Sequence, residues 1–551
     1  MTDPSPAGAA AARLLARLTG LGLRHVVVSP GSRSQAPALA AAALARAGEL
    51  QLHVRIDERV GGFTALGLAA ESGVPVAVIV TSGTAVAELH PAVLEAHHAG
   101  VPLLLLTADR PAELRGTGSN QTTVQPGMFG VAVAEVIDVL APATPEDVAA
   151  AAAVAEHAWS IATTLRQPVQ VNLSYREPLS GAVASAEPQG GPLPAPRPAP
   201  DPLLIRSGPR TVVIAGDRAG EGAEAFARAL DVPLLAEVSS GARFGPQLVG
   251  AYRPLLDDAD FGGRIERAIV FGHPTLSRQV PQLLARPEVH TILVGPPGGE
   301  WFDPTSGRAL RTAAVAAESA EPDRSWRGRW VAASRAMLDE TDDVPYAGRP
   351  DEPSARERRD HQRTELAALR APVTRRALVD AVWRATWPHD RLVVAASRLI
   401  REMDAAVPGK RIRVLANRGL AGIDGTVSTA TGVALALAGT GRAGTTRVLL
   451  GDLAMLHDAG ALLRSPGEPE VRLQVIVGND GGGTIFDSLE VKETADPTDF
   501  ERVLRTPREV DYAALAAAYG WEHHRIDSRG DLDRVLTAPA PGRSLVVVPL
   551  S

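Results

Sequence analysis

The sequence predicts a chain of three α/β domains, each a mainly parallel β-sheet flanked by helices. Its 551 residues correspond to about three domains, at roughly 100–200 residues each. Short, strongly apolar runs recur along the chain, and alanine-rich stretches of helical composition lie between them. Strands this apolar are buried on both faces, which is typical of parallel sheets covered by helices. The runs are HVVVSP (25–30), VAVIVTSG (76–83), PLLLLTAD (102–109), PVQVNLS (168–174), TVVIAGD (211–217), RAIVFGH (267–273), TILVG (291–295), RLVVAAS (391–397), RVLLGD (447–452), LQVIVGND (473–480) and SLVVVPL (544–550).

Two stretches of different composition divide these runs into three groups. Residues 181–210 hold eight prolines, most of them at every second position, which predicts a semi-rigid extended linker. A second break at 339–360 is highly charged and also carries prolines. The predicted domains are therefore 1–180, 205–340 and 360–551.

The composition narrows the functional classes. Hydrophobic residues make up 45% of the chain and charged residues 22%, which is typical of a folded globular protein. The net charge of -7 gives no general attraction to polyanions, so we expect no nucleic-acid partner. The absence of cysteine excludes thiolate metal sites and cysteine nucleophiles. The N-terminus lacks the basic segment followed by an apolar segment that is typical of a signal peptide, and no long apolar run follows. We therefore expect a cytoplasmic protein without membrane insertion.

Polar and glycine residues follow the predicted strands. Ligands of parallel α/β sheets bind beyond the carboxyl ends of strands, so these residues are the candidates for chemistry. Glycine N–H groups and arginine guanidinium groups of this kind hold phosphates and carboxylates. The segments are PGSRS (30–34), TSGTA (81–85), ADRP (108–111), SRLIR (397–401), NRGLAGIDG (417–425), GDL (451–453) and NDGGG (479–483).

The most specific spacing lies in the third predicted domain. Asp452 ends one apolar run and Asn479 ends the next, 27 residues later. One strand–helix–strand unit of that length brings both side chains to the same end of the sheet. A carboxylate, an amide oxygen and a backbone carbonyl from the glycine run form an all-oxygen set that suits Mg²⁺. The alternative, that both are ordinary turn residues after strands, stays open on spacing alone.

The first predicted domain offers one carboxylate that could handle a proton. In HVRIDERVGGFTALGLAA (53–70) a strand ends near Ile56, and Glu58 stands at the start of a helix. A glutamate there could simply complement the helix dipole, with Arg55 and Arg59 as surface partners. In the middle domain, AGDRAGEG (215–222) lacks the G-x-G-x-x-G spacing, and we interpret it as a strand–helix turn.

Together these segments resemble thiamine-diphosphate-dependent enzymes of the three-domain pyruvate-decarboxylase type, whose signature runs from a GD to an asparagine-led loop. Within that superfamily the chain most resembles the 2-succinyl-5-enolpyruvyl-6-hydroxy-3-cyclohexene-1-carboxylate synthases of menaquinone biosynthesis. The resemblance covers nearly the whole chain, in family order. Its motifs are VSPGSRS (28–34), HVRIDER (53–59), TSGTAVA (81–87), ADRPAELRGTGSNQT (108–122), REPL (176–179), NRGLAGIDGTVSTATG (417–432) and NDGGGTIF (479–486).

The resemblance implies an enzyme, a transferase that decarboxylates 2-oxoglutarate and adds the resulting succinyl carbanion to isochorismate. It implies thiamine diphosphate and Mg²⁺, or Mn²⁺, as cofactors, and self-association into a homodimer or homotetramer. In this three-domain thiamine-diphosphate-binding fold, residues 1–180 would bind the pyrimidine, 205–340 would form a linking domain, and 360–551 would bind the diphosphate and the metal. Another thiamine-diphosphate-dependent decarboxylase or carboligase is the main alternative. A non-catalytic ligand-binding homologue is a further one, against which the intact acidic and metal-site residues argue.

The resemblance also implies roles residue by residue. Glu58 matches the glutamate that hydrogen-bonds N1′ of the aminopyrimidine ring, and Ile423 matches the bulky residue that holds the cofactor bent. The other cofactor-binding positions are Ser82, Gly83, Gly419, Gly422, Asp452 and Leu453, and the metal ligands are Asp452, Asn479 and the carbonyl of Gly481. The other catalytic positions are Ser32, Arg33, Gln121, Ser397, Arg401 and Arg418. The substrate-binding positions are Arg110, Asn120, Arg278, Ile485 and Phe486. The residues that depart from the usual family pattern are Arg398, Leu399 and Thr484.

Overall fold

The computed structural model describes residues 5–179, 181, 201–295, 301–318, 324–340, 355–441, 444–538 and 541–550. The strands of these residues form three large sheets in which every strand pairing is parallel, and helices pack on both faces of the first and third sheets. The predicted α/β fold class is therefore confirmed. Each of the apolar runs named above contains a strand.

The first sheet has six strands in the order β2-β1-β3-β4-β6-β5. Its strands are β1 (His25–Val28), β2 (Gln51–Val54), β3 (Val76–Val80), β4 (Leu103–Asp109), β5 (Glu135–Val139) and β6 (Val169–Ser174). Its helices are α1 (Pro6–Leu21), α2 (Gln35–Arg46), α3 (Glu58–Ser72), α4 (Thr84–Ala87), α5 (His90–Ala99) and α6 (Pro145–Leu165), with 3₁₀ turns at Ala112–Leu114 and Gly130–Ala132. The central strands are buried on both faces, as their continuous apolar sequences predict.

The middle segment forms a five-stranded sheet in the order β12-β11-β10-β8-β9 and a two-stranded pair, β13-β7. The strands are β7 (Leu203–Arg206), β8 (Thr211–Ala215), β9 (Leu234–Ala236), β10 (Arg267–Phe271), β11 (His290–Val294), β12 (Leu310–Thr312) and β13 (Val315–Glu318). The helices are α7 (Glu221–Leu230), α8 (Tyr252–Asp257), α9 (Gln279–Ala285) and α10 (Arg324–Glu340), with a 3₁₀ turn at Gly262–Arg264. The segment 215–222 joins β8 to α7, so its interpretation as a strand–helix turn is confirmed.

The third sheet has six strands in the order β15-β14-β16-β17-β19-β18. The strands are β14 (Arg391–Val394), β15 (Arg413–Leu415), β16 (Thr446–Gly451), β17 (Leu473–Asn479), β18 (Glu522–Arg525) and β19 (Arg543–Pro549). The helices are α11 (Ala355–Arg370), α12 (Arg375–Ala385), α13 (Arg398–Ala406), α14 (Thr426–Gly439), α15 (Asp452–His457), α16 (Val491–Thr494), α17 (Pro497–Phe500), α18 (Tyr512–Ala518) and α19 (Arg529–Thr537). Shorter turns lie at Ala459–Leu462, Thr484–Ser488 and Glu501–Arg505.

The predicted linkers fall largely on residues that the structure leaves undescribed. Strand β7 lies inside the stretch 181–210 and pairs with β13, so that end of the stretch belongs to the middle segment. Residues 182–200 and 341–354 lie outside the described residues. The three domain boundaries therefore stay predictions. Among the described residues, no helix combines the length and the apolar character needed to cross a membrane.

Helices α3 and α14 join the first sheet to the third, and one hydrophobic core continues across both. The helices approach closely because glycines face backbone at the crossing. A Cβ on Gly67 would lie 1.9 Å from the carbonyl oxygen of Thr429, and one on Gly432 would lie 2.1 Å from that of Thr64. The two glycines therefore set the distance between the sheets, and with it the position of the sites at the sheet edges.

Replacing Gly67 by alanine is expected to lower the free energy of unfolding by about 1–3 kcal/mol, because the added methyl group forces the two helices apart. Urea unfolding followed by circular dichroism measures the change. Gly328→Ala, at an exposed position of helix α10, is the matched control, since a Cβ there meets nothing within 4 Å. That variant should be neutral or more stable by about 0.5–1 kcal/mol, and an equal loss in both variants would contradict the close-packing argument.

Candidate active site

The first and third sheets share one strand order, and this order indicates where each sheet would bind a ligand. In each sheet the first strand in sequence lies between the second and the third, so successive connections run to opposite sides of it. Ligands bind beyond the carboxyl ends of parallel strands at such a switch point. The switch points lie between β1 and β3 in the first sheet and between β14 and β16 in the third. Predicted site residues follow all four of these strands.

Four predicted residues are joined by hydrogen bonds at the first switch point. The buried Ser82 donates its hydroxyl to the carbonyl of Gln121 at 3.0 Å, and Gln121 Nε2 donates to the carbonyl of Ser82 at 2.9 Å. Arg110 donates from Nη1 to Ser82 Oγ at 2.7 Å and from Nη2 to the carbonyl of Asn120 at 3.0 Å. The structure therefore brings this predicted set together.

Ser32 and Arg33 lie on the loop that follows β1, beside that set. Ser32 is exposed, whereas Arg33 donates from Nη1 to the carbonyl of Tyr175 at 3.1 Å and lies 3.5 Å from the carboxylate of Glu177. Burial and the neighbouring charge of Arg110 lower the pKa of Arg33. Two crowded guanidinium groups favour an anionic ligand at this edge.

Gly83 is held by a residue that the sequence analysis missed. Its φ of 86° lies in the region that favours glycine. Its N–H donates to Gln125 Oε1 at 2.9 Å, and Gln125 Nε2 donates in turn to Asn172 Oδ1 at 3.0 Å. No apolar run or signature motif marks Gln125, so only the folded structure reveals it.

Glu58 begins helix α3, as the sequence predicts, although β2 ends earlier than expected, at Val54. The side chain of Asp57, not that of Glu58, caps the helix by accepting from the N–H of Val60 at 3.1 Å. Burial raises the pKa of Glu58, and the nearby carboxylates of Asp57 and Glu88 raise it further. Because another residue performs the capping, the Glu58 carboxylate is available for a proton-handling role, to which a raised pKa is suited.

Asp452 and Asn479 stand side by side at the ends of neighbouring strands. β16 and β17 pair in parallel up to Gly451 and Gly478, and each side chain follows directly on its glycine. Neighbouring strands lie about 4.8 Å apart, so these residues are close enough to bind one ion. The Asp452 carboxylate is buried, and its Oδ1 accepts from the N–H of Leu453 at 2.8 Å.

The glycine loop after Asn479 folds back onto this pair. The N–H of Gly482 donates to Asp452 Oδ2 at 2.7 Å, and the N–H of Gly481 donates to Asn479 Oδ1 at 3.3 Å. Burial raises the pKa of Asp452, and the charge of Asp480 adds to the shift. A divalent cation would relieve this crowding of negative charge, so the residues present fit Mg²⁺ or Mn²⁺. Nowhere among the described residues do three His, Asp or Glu side chains form a metal cluster, so the site would rely on the amide of Asn479 and a backbone carbonyl beside Asp452.

Ser397 and three predicted arginines meet at the second switch point. Ser397 has φ 88°, which is unusual for a serine, and its carbonyl accepts from Arg401 Nη1 at 2.8 Å. Burial lowers the pKa of Arg401, and the charges of Arg418, Arg253 and Arg278 lower it further. Arg253 was not among the predicted residues. We define the arginine group as Arg253, Arg278, Arg401 and Arg418; Arg253 is paired with Asp404, and the other three concentrate positive charge at this edge of the third sheet.

The turn Thr484–Ser488 carries the predicted apolar wall. Ile485 and Phe486 are half-buried in this turn. Arg398 Nη1 donates to the carbonyl of Thr484 at 3.0 Å. Two of the three residues that depart from the usual family pattern, Arg398 and Thr484, therefore contact each other, and the contact connects the wall to the start of helix α13.

Arg418 is held by the middle segment. Its Nε donates to Thr275 Oγ1 at 2.9 Å and its Nη2 to the carbonyl of Thr275 at 3.1 Å. Only 2% of Arg418 is exposed, and its Nη1 is buried without a described partner. The N–H groups of Thr275 and Leu276 donate to the buried carboxyl of Glu237, whose pKa is raised by burial and by the charge of Asp404. Arg418 therefore adds charge from within the protein, and Arg401 is the more accessible cation.

The loop 417–425 is fixed by the first segment. The N–H groups of Gly419 and Leu420 donate to the two carboxylate oxygens of Glu95 at 2.7 and 2.8 Å. Gly422 lies beside a cavity of about 360 Å³, and Ile423 packs against the shared core. Glu95, like Gln125 and Arg253, was not among the residues predicted from the sequence.

The predicted residues thus form two separate groups within one chain. Ser32, Arg33, Ser82, Arg110, Asn120 and Gln121 lie at the edge of the first sheet, and the arginine group, Ser397 and the Asp452–Asn479 pair lie at the edge of the third. Among the described residues, no hydrogen bond or ion pair connects one group with the other. Each group is half of the set that the resemblance implies.

Comparison with known proteins agrees with this geometry. The family described as thiamine pyrophosphate enzyme, N-terminal TPP binding domain, matches residues 9–129. A protein of Leifsonia xyli subsp. xyli, named 2-succinyl-5-enolpyruvyl-6-hydroxy-3-cyclohexene-1-carboxylate synthase, is 55% identical over 99% of this chain and 97% of its own length. Proteins of the same name from Clavibacter michiganensis subsp. michiganensis and Kineococcus radiotolerans are 55% and 44% identical, over 100% and 98% of this chain and 97% and 95% of their own lengths.

Proposed function

Since this chain belongs to the family of 2-succinyl-5-enolpyruvyl-6-hydroxy-3-cyclohexene-1-carboxylate synthases, we propose that its two half-sites perform the reaction of that family. The protein is a thiamine-diphosphate-dependent transferase of menaquinone biosynthesis. It decarboxylates 2-oxoglutarate and adds the succinyl carbanion to isochorismate, which gives the product of the family name and CO₂. The cytoplasmic location expected from the sequence remains a prediction.

The arginine group carries this proposal. 2-Oxoglutarate and isochorismate are both dianions, and they need several cationic groups around the reacting centre. Arg401, Arg418 and Arg278 lie near one another beside Ser397, and the pKa of Arg401 is lowered by burial and by its cationic neighbours. Among the described residues, Arg253 is paired with Asp404, whereas Arg278, Arg401 and Arg418 form no ion pair. Three guanidinium groups without a carboxylate partner are suited to two dicarboxylic acids. A decarboxylase for a small monocarboxylic acid has no need of such a group, which disfavours the main alternative.

The side chains divide the chemistry between the two half-sites. Thiamine diphosphate, when bound, supplies the nucleophilic carbon and the electron sink. Glu58 would hold a proton at N1′ of the aminopyrimidine ring, and Ile423 would support the bent shape. The oxygens of Asp452, Asn479 and Gly481 would hold Mg²⁺ or Mn²⁺ against the diphosphate. Arg401 would orient a substrate carboxylate next to Ser397, with Ile485 and Phe486 excluding water from one side.

A second copy of the chain would complete each site. Glu58 and the metal residues must hold opposite ends of one cofactor, yet no hydrogen bond among the described residues joins Glu58 to Asp452 or Asn479; the nearest link is from Arg59 to His457 at the far end of α15. Ile56, two residues before Glu58, is 72% exposed, and Leu420, next to Gly419, is 54% exposed. Exposed apolar residues beside both half-sites are suited to burial against a partner. We therefore expect a homodimer with two-fold symmetry, alone or within a tetramer.

Mass spectrometry of the reaction products tests the proposed activity directly. The purified protein is incubated with 2-oxoglutarate, isochorismate, thiamine diphosphate and Mg²⁺. The adduct and CO₂ are the expected products. Succinic semialdehyde alone, even at saturating isochorismate, would instead establish a decarboxylase with a different acceptor.

Replacing Arg401 by alanine is expected to weaken substrate binding by about 10- to 150-fold, the range for losing a hydrogen bond to a charged group. The cause is the loss of the accessible cation beside Ser397, while the metal residues are untouched. Steady-state kinetics with each substrate varied in turn measures the effect on KM. Arg411→Ala is a suitable control, because Arg411 forms an exposed ion pair with Glu221. Wild-type KM values for both substrates in the Arg401 variant would refute the assignment.

A further inference from the structure

Glu95 is a buried carboxylate that binds the backbone of another segment through both of its oxygens. It lies on α5, beneath the first sheet, and is 4% exposed. Its two oxygens accept from two consecutive N–H groups, those of Gly419 and Leu420, at 2.7 and 2.8 Å. In the described part of the chain, no arginine, lysine or histidine forms an ion pair with Glu95. The charge of Arg218 acts on Glu95 without forming an ion pair, so the direct contacts of the carboxylate are the two hydrogen bonds from the loop.

The loop that Glu95 binds has little else to fix its middle part. It leaves β15 after Leu415 and reaches helix α14 at Thr426. Arg418 is anchored to Thr275, and Gly425 packs on Phe63 at the far end. Between these points the two bonds to Glu95 are the polar contacts that determine the height of the loop above α5.

The close approach of the loop to α5 supports the same reading. A Cβ on Gly419 would lie 2.8 Å from the carbonyl oxygen of Glu95 and 2.9 Å from the Cβ of His98. Glycine at this position lets the backbone descend to the carboxylate. Burial raises the pKa of Glu95, while the hydrogen bonds from the N–H groups of Leu420 and Gly419 lower it. This is expected of a buried carboxylate whose two oxygens both accept hydrogen bonds.

We propose that Glu95 is a positioning residue for the cofactor-binding loop, which it holds at the height where Ile423 can support the cofactor. The inference rests on the proposed function, because the role of Ile423 comes from the family. Glu95 itself touches neither cofactor nor substrate. Its effect is transmitted through the backbone between Leu420 and Ile423.

Glu95→Gln tests the proposal. A glutamine has one acceptor oxygen and one NH₂ group, so one of the two loop N–H groups must face a donor. Hydrogen–deuterium exchange of the protein without cofactor should show about 10-fold faster exchange in the peptide 417–425 and unchanged protection elsewhere. The affinity for thiamine diphosphate with Mg²⁺, measured by calorimetry, should fall about 10-fold.

Glu224→Gln is the matched control, because Glu224 is also buried, at 3% exposure, but lies on α7 away from the loop. It should leave both readouts at wild-type values. Glu95→Asp serves as a second variant if Glu95→Gln does not fold. It keeps both carboxylate oxygens, but its side chain is shorter by one methylene group. We expect the same faster exchange and weaker cofactor binding, each to a smaller extent.

The outcomes separate this inference from the proposed function. If the wild-type protein fails to bind thiamine diphosphate, the proposed function is wrong. If the wild type binds it and the Glu95 variants bind it equally well, only the positioning role of Glu95 is overturned. Faster exchange of the loop without any loss of cofactor affinity would also overturn that role.

Discussion

Glu58→Gln is expected to slow exchange of the cofactor's C2 proton by about 10²- to 10⁴-fold, the usual contribution of a general acid–base group. Glutamine keeps the size and hydrogen-bonding capacity of the side chain but cannot supply the carboxylate that favours the reactive tautomer. Both decarboxylation and adduct formation should be lost with it, while binding of Mg²⁺ and diphosphate persists. Exchange of the C2 proton followed by NMR measures the step in isolation from the substrates.

The nearby Glu88 provides the control for this experiment. Its carboxylate contributes to the raised pKa of Glu58, but the residue is exposed and follows the short helix α4. Glu88→Gln should leave the exchange rate close to that of the wild type. If Glu58→Gln exchanges C2 as fast as the wild type, Glu58 is only an acid at a helix start.

Asp452→Asn is expected to have the second largest effect, through loss of the metal. Removing a second-sphere partner typically costs about 10- to 100-fold in metal affinity, so loss of a direct anionic ligand should cost on the order of 100-fold or more. Calorimetric titration with Mg²⁺ and with Mn²⁺ in the presence of thiamine diphosphate measures this change. Asn479→Ala should have a smaller effect, because an amide oxygen is neutral. Unchanged metal affinity in both variants would show that Asp452 and Asn479 are ordinary turn residues and not metal ligands.

Mixing these two inactive variants tests whether the sites are shared between chains. A dimer of one Glu58→Gln chain and one Asp452→Asn chain contains one doubly defective site and one intact site. Random mixing gives half mixed dimers, so about a quarter of wild-type activity should return. No recovery after mixing, with mixed dimers detected by native mass spectrometry, would show that each chain forms its site alone.

The central strands and the residues that follow them were predictable from the sequence. Strands buried on both faces need continuous apolar runs, and such runs are visible without the structure. The edge strands β5, β12 and β18 were not predicted, because each is partly exposed; β5 and β12 mix polar with apolar residues, and β18 is entirely polar. The strand β7 was taken for linker, since it pairs with only one short strand.

The proximity of Asp452 and Asn479 also followed from the sequence. Both residues end strands of one strand–helix–strand unit, and the parallel ladder of such a unit brings their carboxyl ends to one edge. The helix-start position of Glu58 was predicted in the same way. These are local or nearest-neighbour relations, and a hydrophobic pattern with well-placed glycines is enough to specify them.

Only the tertiary structure decided which residues hold the site loops. Glu95 meets Gly419 across 324 positions of the chain, and Thr275 meets Arg418 across 143. The hydrophobic pattern of the sequence does not indicate such pairs, because they form where separate segments pack together and buried N–H groups need acceptors. The sequence by itself determined the three-sheet architecture and the chemistry at the strand ends. Packing between the segments decided that Arg418 is enclosed and that Glu95 binds its loop.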